Sequence, residues 1–109
     1  MERLALPTRQ GIVLLDPREV TNADLDGELV TVHTRTANFL STLSLQELEA
    51  RLIGDQFTRV HRRGLVNLAH VLRLEPTEVG GYIAHVTGGQ SVEVSRQAAR
   101  ELRKRLNLR

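Results

Sequence analysis

Arg59, His61, Arg62 and Arg63 fall within five consecutive residues of Phe57-Thr58-Arg59-Val60-His61-Arg62-Arg63-Gly64-Leu65-Val66-Asn67, a stretch with no acid. Guanidinium groups make forked, bidentate contacts with phosphates and with guanine edges, so anion recognition is the chemistry this cluster suits. The strand-like Leu65-Val66 follows directly, so the fold ties a cationic loop into apolar surroundings. We expect this loop to face nucleic acid.

A second basic segment accompanies it. Residues 57–73 and 95–109 hold ten of the fifteen Lys and Arg residues but one of the thirteen acids, a net +9. The rest has five cations against twelve acids, a net −7, so the overall charge of +2 conceals two opposed regions. Fourteen of the fifteen cations are Arg. High-GC codon usage accounts for that ratio but not for the segregation. Within the second segment Arg96 stands out. It lies at the start of an expected helix, where the dipole mildly disfavours a cation.

Other chemistries lack their residues. There is no Cys, hence no disulfide or thiolate site. His33, His61, His70 and His85 show no zinc-helix spacing, and no phosphate-cradling glycine motif or nucleophile elbow occurs. Asp24 and Asp26 flank a turn and suit a solvated turn better than an acid/base pair. Neither an enzyme nor a cofactor nor a metal site is expected. Phe39, Phe57 and Tyr82 are the three aromatics, too few for the stacking platforms that single strands need. Phe57 reads as core and Tyr82 as the one aromatic open to solvent. Duplex DNA fits better than RNA.

The elements that must hold these residues read as mainly β. Leu4-Ala5-Leu6 precedes a turn at Pro7 to Gly11, and the apolar run Ile12-Val13-Leu14-Leu15 suits a buried strand. Asp24-Leu25-Asp26-Gly27 is turn chemistry between two strands. Beyond it Leu29, Thr31 and His33 should face one side, and Val30, Val32 and Thr34 the other. Thr36-Ala37-Asn38 closes a hairpin, with Arg35 near its tip, onto a strand from Phe39 to Leu43. Ser44-Leu45-Gln46-Glu47 forms a capping box with a Leu43–Leu48 staple, opening a short helix near 45–53 that ends at Gly54. Phe57–Val60, Leu65–Asn67, Val71–Leu74, Tyr82–Val86 and Ser91–Val94 are further strands. Ser95 caps a helix near 95–106, with Ala98, Ala99, Leu102 and Leu106 on its apolar arc and Arg96, Arg100, Arg103 and Lys104 opposite.

The 109 residues suit one compact domain, 1–109, with no internal repeat. No apolar run is long enough to span a membrane, and the start lacks a signal peptide's apolar stretch, so a cytoplasmic protein is the default.

Several motifs in order resemble the LytTR DNA-binding domain family. Asp55-Gln56-Phe57-Thr58-Arg59-Val60-His61-Arg62-Arg63-Gly64-Leu65-Val66-Asn67-Leu68 is similar to its F-x-R-V-H-R-S-[YF]-L-V-N-x signature. Asp26-Gly27-Glu28-Leu29-Val30-Thr31-Val32-His33-Thr34, Ser44-Leu45-Gln46-Glu47-Leu48-Glu49 and Val92-Glu93-Val94-Ser95-Arg96 match its other motifs, so the resemblance covers about residues 3–106. It implies an elongated β-β-β sandwich and sequence-specific binding of duplex DNA. Loops would enter successive major grooves at direct repeats, as in the output domains of two-component response regulators. It implies DNA-facing positions at Glu28, Arg59, His61, Arg62, Arg63, Arg96, Gln97 and Arg100, with Arg62 and Arg96 reading bases. Duplex DNA is the implied partner, with a homodimer on repeated sites or a separate signalling partner beside it, and no membrane. No receiver domain accompanies the motifs, which suits a stand-alone regulator or an output domain alone.

Three positions depart from the family pattern. Arg63-Gly64 replaces Ser-Tyr, adding a cation and removing an aromatic anchor, so a freer loop is expected. Asn22 stands where an acid is common, and Glu28 brings a negative charge to an expected DNA edge. The alternative function is a protein-interaction module of the same fold, binding another regulator or an acidic partner.

Overall fold

A computed structural model describes residues 3–52, 54 and 56–108. Ile53, the last residue of the first expected helix, and Asp55 and Arg109 lie outside the described residues. β1 (Leu4–Thr8) and β2 (Gly11–Leu15) form an antiparallel hairpin. β3 (Val20–Asp26), β4 (Leu29–Thr34), β5 (Asn38–Ser41), β6 (Phe57–His61) and β7 (Gly64–Asn67) form a five-stranded antiparallel sheet in the order β5-β4-β3-β7-β6. β8 (Val71–Pro76), β9 (Tyr82–Val86) and β10 (Ser91–Val94) make a three-stranded sheet, ordered β10-β9-β8. α1 (Leu45–Arg51), α2 (Arg96–Arg105) and short 3₁₀ turns at Pro17–Glu19 and Leu68–His70 complete the described elements. The fold is mainly β and elongated, measuring 43 × 31 × 24 Å along its principal axes.

The five-stranded sheet separates two cores, because successive strand residues point to opposite faces. On one face Ala23, Val30, Val32 and Leu65 pack with Leu4 and Leu6 of β1 and with Leu45, Leu48 and Leu52 around α1. On the other, Val60 and Val66 pack with Ala84, Val86, Val92 and Val94 of the second sheet and with Ala99 and Leu102 of α2. Neighbouring residues Leu65 and Val66 thus serve different cores. Each fully buried Leu or Val contributes roughly 1.5–3 kcal/mol, so both layers help to fix the edge where they meet.

The capping box of α1 is present: Glu47 N–H donates to Ser44 Oγ at 3.1 Å, and Ser44 N–H donates to Glu47 Oε1 at 2.9 Å. Leu43 and Leu48 are both buried, as the staple requires. Ser95 caps α2 by accepting from Ala98 N–H at 3.2 Å.

The strand alternation in β4 holds for Leu29 to Val32, but His33 is buried as well. It lies between Asp24 Oδ1 at 2.5 Å and Asn38 Oδ1 at 2.8 Å, a polar seam across three strands. Strand ends differ from the sequence reading at several places: β1 runs through Pro7, β3 runs on through Asp24 and Leu25 to Asp26, where the sequence predicts a turn, β5 starts at Asn38 and ends at Ser41, β6 extends to His61, β7 starts at Gly64, and β8 runs through Pro76. The largest departure is Ile12 to Leu15. It forms a strand, but a half-exposed one: Ile12 is 69% and Leu14 55% exposed, while Val13 and Leu15 turn inward. The β1–β2 sheet is the outermost layer of the first core, so its far face has nothing to pack on. Leu106 lies past the end of α2 and is exposed, not part of its buried arc.

Candidate nucleic-acid interface

The cationic loop is the tip of the β6–β7 hairpin. Pairing runs Phe57–Asn67, Thr58–Val66, Arg59–Leu65 and then His61–Gly64, leaving Val60 as the extra residue of a bulge. A bulge bends its strand and re-aims the side chains beyond it. Val60 faces the second core, as alternation from Phe57 on the first-core face dictates, and its carbonyl accepts Ser95 N–H at 2.8 Å. α2 therefore starts beside the bulge, and its last turn reaches back to Thr58 Oγ1 through Arg105 at 2.6 Å. The start of α2, with Arg96, Gln97 and Arg100, thus lies on the loop side of that helix. All three are exposed.

The β3–β4 turn joins the same edge. Leu25 N–H donates to the Arg63 carbonyl at 2.9 Å, and Arg63 Nε donates to the Leu25 carbonyl at 3.1 Å. Three residues beyond Leu25, Glu28 is exposed in the turn. β10 contributes Glu93, whose Oε1 is 3.8 Å from His61 Nε2. His61 Nδ1 accepts Arg63 N–H at 3.2 Å, so in this arrangement its ring proton sits on Nε2, toward Glu93. The hairpin tip, the end of β3, β10 and the start of α2 are therefore linked at one edge.

The arginines divide into two kinds. Arg59 donates from Nε to the His61 carbonyl at 3.0 Å and from a terminal nitrogen to the Arg62 carbonyl at 2.6 Å. Its other terminal nitrogen is 3.4 Å from Glu49 of α1. Arg63 is bound to β3 as described. The side chains of Arg62, Arg96 and Arg100 have no hydrogen bond or ion pair among the described residues, and each is exposed. Arg103, on the charged arc of α2, instead lies 5.8 Å over the half-buried Tyr82 ring and donates to its hydroxyl at 3.3 Å. Sequence reasoning found the cations but missed Glu49, Leu25 and Glu93 as their neighbours. No local pattern marks a partner ten to forty residues away.

Gly64 closes the hairpin with buried backbone. A Cβ there would meet Val92 Cγ1 at 3.2 Å, His61 Cβ at 3.7 Å and Val60 Cγ2 at 3.9 Å. Beside it is a cleft of about 220 Å³, lined mainly by polar groups including Asp24, His61, Gln90 and Glu93. With glycine in place of the aromatic, hydrogen bonds of Arg59, His61 and Arg63 strap the tip. Among the described residues no cluster of three or more His, Asp or Glu side chains could hold a metal, and no helix is long and apolar enough to cross a membrane.

A family model described as the LytTr DNA-binding domain matches residues 10–107. The sensory transduction protein LytT of Bacillus cereus is 33% identical over 108 residues, covering 99% of this chain and 44% of that protein. The CO-responsive transcriptional regulator RcoM of Rhodospirillum rubrum is 40% identical over 90 residues, covering 82% of this chain and 38% of that protein. The chain spans less than half the length of these relatives. A solved LytTr DNA-binding domain, from a Bacillus cereus protein described as a methyl-accepting/DNA response regulator, superposes with a TM-score of 0.85 at 26% identity, covering 99% of each chain.

Proposed function

This chain belongs to the LytTR family of DNA-binding domains, and we propose that it is the part of a cytoplasmic transcriptional regulator that reads duplex DNA. Its loops would enter successive major grooves at direct repeats, with the signal arriving from elsewhere, as the sensory and CO-responsive relatives suggest. The observation that carries the reading is the set of three unpartnered, exposed arginines, Arg62, Arg96 and Arg100, on elements linked to one another. Cations that neutralise phosphates release counterions and gain affinity at low salt, whereas an Arg fork can also read guanine. Glu28 at the neighbouring turn can accept from cytosine N4.

The test is selection of bound duplexes from a random pool with the whole chain. An enriched pair of similarly oriented half-sites about one helical turn apart is expected. A pool that stays random, with binding insensitive to salt, contradicts the proposal.

A further inference from the structure

We propose that Arg59 and Arg63 are positioning residues of the β6–β7 hairpin, and that Arg62 is the guanidinium this tip presents to DNA. The inference rests on the DNA-binding function proposed above and assigns different roles to three neighbouring cations.

The tight turn at Arg62-Arg63 creates the need. Ladder pairing ends at His61–Gly64, so the carbonyls of His61 and Arg62 fall where the hairpin turns. Arg59 lies across that turn and satisfies both with one planar fork, at 3.0 and 2.6 Å. Glu49 holds the far side of the same guanidinium from α1 at 3.4 Å. Three of its five N–H donors face protein acceptors at fixed angles. A lysine retains the charge but is a point donor and cannot span two carbonyls in one plane.

Arg63 works on the other strand. Its carbonyl and its Nε meet Leu25 N–H and the Leu25 carbonyl, so both its backbone and its side chain close onto the end of β3. Its own N–H goes to His61 Nδ1. The residue between these clamps, Arg62, has its carbonyl fixed by Arg59 and its side chain exposed without a partner. A fixed backbone under a free guanidinium lowers the ordering cost of a contact made there.

Two readouts on the whole chain separate positioning from contact. The first needs no DNA: amide order parameters at Arg62 and Arg63 should fall from about 0.85 toward 0.6 in Arg59→Lys, with the melting curve keeping its cooperative shape. Unchanged order parameters refute the positioning role whatever the DNA results. The second uses a duplex the wild type selects. Arg59→Lys should lose roughly tenfold in selectivity over random duplex although its charge is kept. Arg63→Ala should leave the slope of log affinity against log salt intact, while Arg62→Ala lowers it by about one. Full recovery of selectivity by Arg59→Lys, or a slope lowered by one in Arg63→Ala, makes these residues phosphate contacts and ends the proposal. If the wild type selects no duplex, the DNA reading fails and the order parameters alone decide the positioning role.

Discussion

Replacing Gly64 by Tyr should stabilise the domain. The backbone there lies outside the left-handed region, so an ordinary residue fits it, and the neighbouring cleft of about 220 Å³ offers room for a ring with a polar tip. An aromatic side chain buries up to 150–250 Å². With about 100 Å² covered in an open cleft, the gain is roughly 2.5 kcal/mol. Removing glycine freedom from the unfolded chain adds about 0.4–1 kcal/mol. Two costs oppose this. Val92 must shift by a few tenths of an ångström to relieve the 3.2 Å contact at Cβ, an overpacking cost of about 1 kcal/mol. Ordering the side chain costs about 1 kcal/mol more. The net is a stabilisation of about 1 kcal/mol, which should raise the urea midpoint by roughly 0.5 M at unchanged slope. Equilibrium unfolding followed by circular dichroism measures it. A midpoint below the wild-type value, again at unchanged slope, would show that the cleft cannot take the ring and that Val92 cannot yield.

Leu48 and Leu102 are fully buried in separate cores, so Leu48→Ala and Leu102→Ala should each cost about 2–5 kcal/mol in urea unfolding; a loss under about 1 kcal/mol at either site contradicts the packing described. In Gly81→Ala the new Cβ would collide with the Val94 backbone carbonyl, which cannot swing aside as a side chain can. A loss of about 2 kcal/mol or more is expected, and a wild-type melting temperature would refute it. The Glu47 carboxyl is held below the usual range by its bonds to Ser44, that of Asp16 by Arg18, and that of Glu75 by His85. A carboxyl lowered in the folded state stabilises the fold above its unfolded value and loses that contribution as pH falls through the folded one. Melting temperature should therefore drop as pH falls through and below the ordinary carboxylate range, and less steeply in Glu47→Gln, which can still cap but does not titrate. Equal acid dependence of the two proteins would show that Glu47 contributes nothing to it.

Local chemistry made much of this fold legible. Ser44 and Glu47 announce α1 three residues apart, Ser95 announces α2, and Gly27 and the Gly88-Gly89 pair mark hairpins, because caps and turns are satisfied within a few residues. The motif order then supplied the architecture and the set of candidate contacts. The features that stayed hidden depend on distant partners. Ile12 to Leu15 reads as buried because four apolar residues in a row suit a strand covered on both faces, yet its sheet is an outer layer. Arg59 and Arg63 read as DNA-facing because nothing nearby in sequence shows that the His61 and Arg62 carbonyls accept from one and that β3 captures the other. Charge marked the candidate interface, whereas the hydrogen bonds that divide its arginines needed the pairing of strands up to forty residues apart.

If the free arginines on linked elements make the contact with duplex DNA, the salt dependence of binding must register their loss. The experiment compares the slope of log affinity against log salt for the wild type and for a triple variant, Arg62→Ala, Arg96→Ala and Arg100→Ala. All three side chains are exposed and unpartnered among the described residues, so the fold should melt as the wild type does. The expected slope is shallower by about three, with affinity for every duplex reduced and sequence preference lost. A triple variant with the wild-type slope and the wild-type preference would contradict the assignment of these arginines to DNA.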